Sequence, residues 1–158
     1  MKAAIMLAPL FLAIGAASQT AVQSPTQAQC RFSDGSTITV TYSPDLRQFR
    51  LSTDGPLLVA KEWNLPSGDY TVHLEEDSHH RWSLLMRKPI KRNGDTVNFF
   101  LSFPLSMSTS ALLSEQPKIS FDQTGGGCVM HLQENPDTIL SLEFAKRGLE
   151  LASLAVAP

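Results

Sequence analysis

The sequence predicts an all-β fold, an antiparallel β-sandwich or partly open barrel of about eight to nine short strands with one disulfide. Three observations carry this expectation. Apolar side chains recur at every second position in several short runs, the period of a strand with one buried face. Gly, Pro, Asn and Asp punctuate those runs at short intervals. No segment before residue 145 sustains helical periodicity.

The first 18 residues read as a signal peptide. Met1-Lys2 gives a positive start, 3–17 is apolar, and Ala16 and Ser18 have the small-residue spacing of a cleavage site before Gln19. The run is shorter than the roughly 20 apolar residues of a spanning helix. Residues 19–29 lack charge and periodicity and read as a flexible arm. Residues 30–146 form the predicted β-domain.

Thr37-Ile38-Thr39-Val40-Thr41-Tyr42 alternates β-branched polar with apolar residues, so Ile38, Val40 and Tyr42 face inward. Residues 49–53 and 57–63 are weaker strand candidates, divided by Asp54-Gly55-Pro56. Pro66-Ser67-Gly68-Asp69 is a turn. After it, Tyr70, Val72 and Leu74 share a buried face with Trp82, Leu84 and Met86 in a hairpin. Asn93-Gly94 marks the next hairpin and leads into Val97, Phe99, Leu101 and Phe103 on one face. Residues 106–113 are ambiguous, with an edge strand among the readings. Residues 118–121 form a short strand. Cys128, Met130 and Leu132 then oppose Leu140, Leu142 and Phe144 across Asn135-Pro136-Asp137. The apolar tail, residues 147–158, reads as a loose appendage.

Cleavage removes one charge, Lys2, and takes the net charge from −2 to −3. No basic stripe remains for nucleic acid, because phosphate neutralisation needs clustered cations. The nearest cluster, Arg87-Lys88-Pro89-Ile90-Lys91-Arg92, reads as a solvated hairpin end. The two cysteines, Cys30 and Cys128, are expected to pair in an oxidising periplasmic or extracellular space. Lipidation of Cys30 is disfavoured, since polar Gln27-Ala28-Gln29 precedes it. A catalytic thiol is disfavoured too, since no local base serves either cysteine. The mature chain has no expected transmembrane segment.

Chemistry is sparse. Gly-x-Ser-x-Gly is absent, and a dispersed Ser/His/Asp site is left open. His79-His80 are adjacent, and neighbouring strand residues point to opposite faces. His73 and His131 have outward parity and would meet only on neighbouring strands. These four histidines are weak metal candidates without the ligand spacing of structural zinc. Glu75-Glu76-Asp77 with Asp69 lacks the ligand alternation and glycine of a calcium loop. Gly125-Gly126-Gly127 lacks the Lys-Ser/Thr and helix of a phosphate loop. No cofactor is expected. Trp63, at a strand end, is the freest aromatic for a ligand surface.

Four stretches resemble the bacterial exported DUF2911 family, a domain of unknown function. They are residues 30–44 (Cys-Arg-Phe-Ser-Asp-Gly-Ser-Thr-Ile-Thr-Val-Thr-Tyr-Ser-Pro), 65–72 (Leu-Pro-Ser-Gly-Asp-Tyr-Thr-Val), 82–86 (Trp-Ser-Leu-Leu-Met) and 118–128 (Lys-Ile-Ser-Phe-Asp-Gln-Thr-Gly-Gly-Gly-Cys). The resemblance covers about residues 30 to 145 and implies a β-rich exported domain without an assigned activity. The family's Gly-x-Val-Trp-Arg-x-Gly-Ala-Asn segment has no counterpart here, so a site built on it would be lost. The expected function is a non-enzymatic module binding a small ligand, a glycan or an envelope protein. The alternatives are a secreted hydrolase with a dispersed site and a structural envelope protein.

Overall fold

The structure, a computed structural model, describes residues 25–109 and 116–146. The signal peptide, the first part of the 19–29 segment, residues 110–115 and the tail 147–158 lie outside the described residues. The strands in chain order are β1 (Thr26–Arg31), β2 (Thr37–Tyr42), β3 (Gln48–Thr53), β4 (Leu57–Val59), β5 (Trp63–Leu65) and β6 (Gly68–Glu76). Then come β7 (Trp82–Arg92), β8 (Asp95–Pro104), β9 (Ser106–Thr109), β10 (Lys118–Thr124), β11 (Gly127–Asn135) and β12 (Thr138–Lys146).

They form two antiparallel sheets packed as a sandwich that does not close into a barrel. One sheet has the order β1-β2-β3-β6-β7-β8. The other has the order β10-β11-β12-β4-β5, with β9 sharing the flank of β12. β9 takes the Thr138–Ser141 half of that flank and β4 the Phe144–Lys146 half. The chain changes sheets at Asp54-Gly55-Pro56, at Pro66-Ser67 and at Leu105, whose N–H donates to the Trp82 carbonyl at 2.9 Å.

The expected alternation is what buries the core. Ile38, Val40 and Tyr42, then Phe49 and Leu51, then Tyr70, Val72 and Leu74 turn inward from the first sheet. Cys128, Met130 and Leu132 meet Phe144, Leu142 and Leu140 from the second, in the expected register. The Tyr42 hydroxyl donates across the layers to the Ile119 carbonyl at 3.3 Å. Cys30 and Cys128 are bonded, with Cα atoms 6.3 Å apart and a sequence separation of 98. Beside them Gln123 Nε2 donates to the Arg31 carbonyl at 2.9 Å. The bridge therefore latches the first strand of one sheet to the second sheet.

Three expectations need correction. The 19–29 segment is not all arm, because β1 starts at Thr26. Its order comes from backbone pairing with β2, and only Ala28 and Cys30 turn inward, so apolar alternation could not reveal it. The 57–63 candidate divides into β4 and β5, because Ala60 and Lys61 take left-handed φ values of 49° and 63°. With β9, these short elements raise the strand number above the expectation. Last, the expected buried face of β8 is only partly buried. Phe103 is fully enclosed, Leu101 and Phe99 are half-buried, and Val97 is 40% exposed.

The cause is the length of the β7–β8 hairpin. Its register runs unbroken from Ser83↔Pro104 to Arg92↔Asp95. The turn has Asn93 at φ 54° and Gly94 at φ 89°, the two left-handed positions of the tight turn that Asn-Gly favours. Pairing with β6 stops at Thr71↔Arg87. Beyond it the hairpin projects as a two-stranded arm. At the arm's base Lys88 Nζ donates to the Ser67 carbonyl and sits 5.3 Å from the Tyr70 ring centroid. Burial pushes the Tyr70 phenol up to about 12, and its hydroxyl donates to the Pro66 carbonyl at 2.6 Å.

Of Gly125-Gly126-Gly127, only Gly127 is sterically required. A β-carbon there would collide with the Phe144 carbonyl oxygen on the paired strand. At the same end of the sandwich Lys146 is buried, 3.1 Å from Asp34 and 5.4 Å from the Phe32 ring centroid. The Asp34 carboxyl is lowered to about 2, first by hydrogen bonds from the Ser36 hydroxyl and N–H and then by Lys146.

Candidate functional site

A concavity of about 560 Å³ lies between the layers at the end opposite the arm. Arg47, Glu76, His80 and Trp82 line one wall. Met107, Glu134, Asn135, Thr138 and Leu140 line the other.

Local turns place each of these side chains. The Asp45 carboxylate accepts the Arg47 N–H at 2.9 Å, and the Arg47 carbonyl accepts the Leu74 N–H at 2.9 Å. Both backbone polar groups of Arg47 are thus engaged. The guanidinium lies 5.1 Å from the Trp82 ring centroid, and its Nε sits 2.8 Å from Glu134 Oε1. The indole and the carboxylate belong to different sheets, so Arg47 ties the layers across the mouth. Trp82 itself opens β7 opposite Glu76. On the far wall, Met107 is held opposite Leu140 by β9 and is 62% exposed.

The connector between β6 and β7 is a turn organised by Asp77. One carboxylate oxygen accepts the His79 N–H at 2.8 Å and the Arg81 N–H at 3.0 Å, while the other meets the Arg81 guanidinium at 2.7 Å. These bonds, the Arg81 N–H foremost, lower the Asp77 pKa. The turn puts His80 in the left-handed region, φ 59°, and brings its Nδ1 to 2.7 Å from Glu76 Oε1. His80 therefore joins the cleft wall. His79 lies beside it in the turn, and the two rings do not converge on one point with a third ligand.

The remaining histidines are separated. His73 sits on the outer face of the first sheet and His131 on the outer face of the second. Among the described residues no three His, Cys, Asp or Glu side chains gather where a metal ion would fit. Trp63 is 52% exposed at the end of β5, paired with Val59, and does not line the cleft. Sequence reading favoured Trp63 because Trp82 has inward parity. Only the sandwich shows that the inward face opens into a cleft at Trp82. Arg47 carried no signal at all in the sequence.

A second constellation lies on the outer face of the second sheet. His131 Nδ1 is 2.8 Å from Ser141 Oγ, and its Nε2 is 3.1 Å from Asp122 Oδ2. Strand register sets this line, since His131 faces Ser141 and stands diagonal to Asp122. It has the composition of a nucleophile, base and orienting acid. Its surroundings differ from a hydrolytic site. The Asp122 side chain is 76% exposed, so water screens it. Ser141 lies between two paired strands, β11 and β9, whose ladders take up the local backbone donors that would form an oxyanion hole.

Among the described residues no helix is long and apolar enough to cross a membrane. No protein-family model matches the chain, and neither a curated protein nor a solved structure matches it significantly.

Proposed function

We propose that this chain is an exported binding module, not an enzyme, and that its interlayer cleft receives a saccharide. The observation that carries this reading is Arg47, stacked on Trp82 and clamped by Glu134 at the cleft mouth. A guanidinium held this way loses little freedom when it binds, and it keeps donors beyond the one in the ion pair. An indole beside carboxylate, amide and hydroxyl groups suits a ligand with apolar faces and a polar rim, which is the character of a sugar ring. The cleft volume is within the range of small-ligand sites. The Cys30–Cys128 bridge fits a periplasmic or extracellular setting.

The chain has two tryptophans, so Trp63→Phe leaves Trp82 as the sole indole reporter. A saccharide panel titrated against this variant is expected to change its fluorescence. Trp82→Ala is expected to weaken the same saccharide by at least about tenfold, measured by calorimetry. A response that vanishes with Trp63→Phe, and calorimetric affinity unmoved by Trp82→Ala, would remove the cleft from the function.

The Ser141–His131–Asp122 line favours a second reading, a weak esterase. Hydrolysis of an activated aryl ester that disappears in Ser141→Ala would support it. An equal rate in the variant would leave the line as a cross-strand brace.

A further inference from the structure

The outer face of the first sheet carries a feature the cleft does not use. Register aligns Arg50, Thr71, Arg87 and Phe100 in one cross-strand row over β3, β6, β7 and β8. Lys91 continues the same face onto the arm, two positions beyond Pro89. Phe100 is 55% exposed, the most exposed aromatic among the described residues. Residues 87–98 hold four of the chain's 13 basic residues and one of its 15 acidic ones. That acid, Asp95, is opposite Arg92 on the other face of the arm, and Lys88 is engaged by Ser67. Arg50, Arg87 and Lys91 therefore remain as a cationic strip on a sheet face. The acidic residues on that face, Asp69 and Glu75, stand one and two rows to either side of the Arg50–Arg87 row.

We infer that this face, from Arg50 through Arg87 and Lys91 with Phe100 beside Arg87 on the edge strand β8, docks on an anionic phospholipid surface. Three features select a bilayer. The face is a broad sheet surface, which suits a plane rather than a groove. The cations match headgroup phosphates, and each basic side chain near such a surface adds attraction. Exposed Phe100 gains by entering the headgroup and acyl boundary, where an amphipathic surface rests. A soluble polyanionic glycan would use the cations and leave the phenyl ring in water. A second copy of the chain would set the same cations against each other. This docking is independent of the saccharide reading and survives its failure.

Vesicle co-sedimentation of the mature, oxidised chain tests it. Strong partition is expected onto phosphatidylcholine vesicles containing about one-third phosphatidylglycerol, with little onto phosphatidylcholine alone, and loss at about 0.5 M NaCl. Arg87→Glu with Lys91→Glu is expected to lower the partition coefficient at least about tenfold. Phe100→Ser is expected to lower it several-fold. All three side chains are exposed, so unchanged thermal melting verifies that the variants fold. Several results would overturn the inference: no partition onto anionic vesicles, equal partition onto neutral ones, or variants that bind like wild type. So would tight binding to heparin that Phe100→Ser does not weaken, in the absence of vesicle binding. A concentration-dependent dimer abolished by Phe100→Ser, without vesicle binding, would assign the face to self-association and reject the lipid.

Discussion

Replacing Cys30 and Cys128 together by serine is expected to lower the stability of the domain by about 4–5 kcal/mol. The bridge spans 98 positions, and a crosslink closing a loop of that length removes much of the unfolded chain's freedom. Both cysteines are buried, so serine also places two hydroxyls where apolar sulfur stood. The bridge has a topological role as well. β1 is the edge strand of its sheet, paired only with β2, and few of its side chains turn inward. Without the covalent link, β1 is held by its ladder and the contact with β10. Urea unfolding of oxidised wild type, reduced wild type and the double-serine variant checks this. Reduced wild type should have a midpoint well below the first, with the double-serine variant at or below it. Hydrogen exchange should show β1 opening before the β11–β12 pair. Coincident midpoints for all three would show that the bridge adds no stability.

Phe103→Ala is expected to destabilise by about 3–5 kcal/mol, while Phe100→Ala, three positions earlier on the same strand, should change stability by roughly 0.5 kcal/mol or less. The two phenyl groups face opposite sides of β8. Phe103 is fully enclosed opposite Leu84, and its removal leaves a void between the sheets that close-packed neighbours cannot fill. Phe100 lies opposite Arg87 on the outer face and loses mainly contact with water. Denaturant midpoints of the two variants give the comparison directly. Similar losses from both would mean that the arm's outer face is covered by something that the described residues do not include. For the proposed lipid contact the order inverts, since Phe100 carries the vesicle binding and Phe103 does not.

Much of the fold was legible in advance for a local reason. Alternation places a strand's side chains on two faces without knowledge of the partner, so Ile38, Val40 and Tyr42 announce their burial from sequence alone. Asn93-Gly94 and Asn135-Pro136-Asp137 likewise encode their turns in backbone preferences. β1 was hidden because its order comes from pairing with β2. β4 and β5 were fused because nothing in Ala60-Lys61 signals a left-handed turn. The candidate sites were much less legible. Arg47, Trp82 and Glu134 are brought together by the stacking of two sheets, and His131, Ser141 and Asp122 by register across three strands.

The sequence by itself determined the all-β class, the positions of most turns, the inward faces and the pairing of its two cysteines. These follow from short-range sterics, from the two-residue period and from there being only two thiols to join. Tertiary structure alone decided which inward face opens into a cleft, which tryptophan lines it, how far the β7–β8 arm outruns its sheet, and which cations share a face. Those outcomes depend on where one strand ends relative to its neighbour and how the sheets meet. No residue carries that information alone, because it belongs to the register between distant segments.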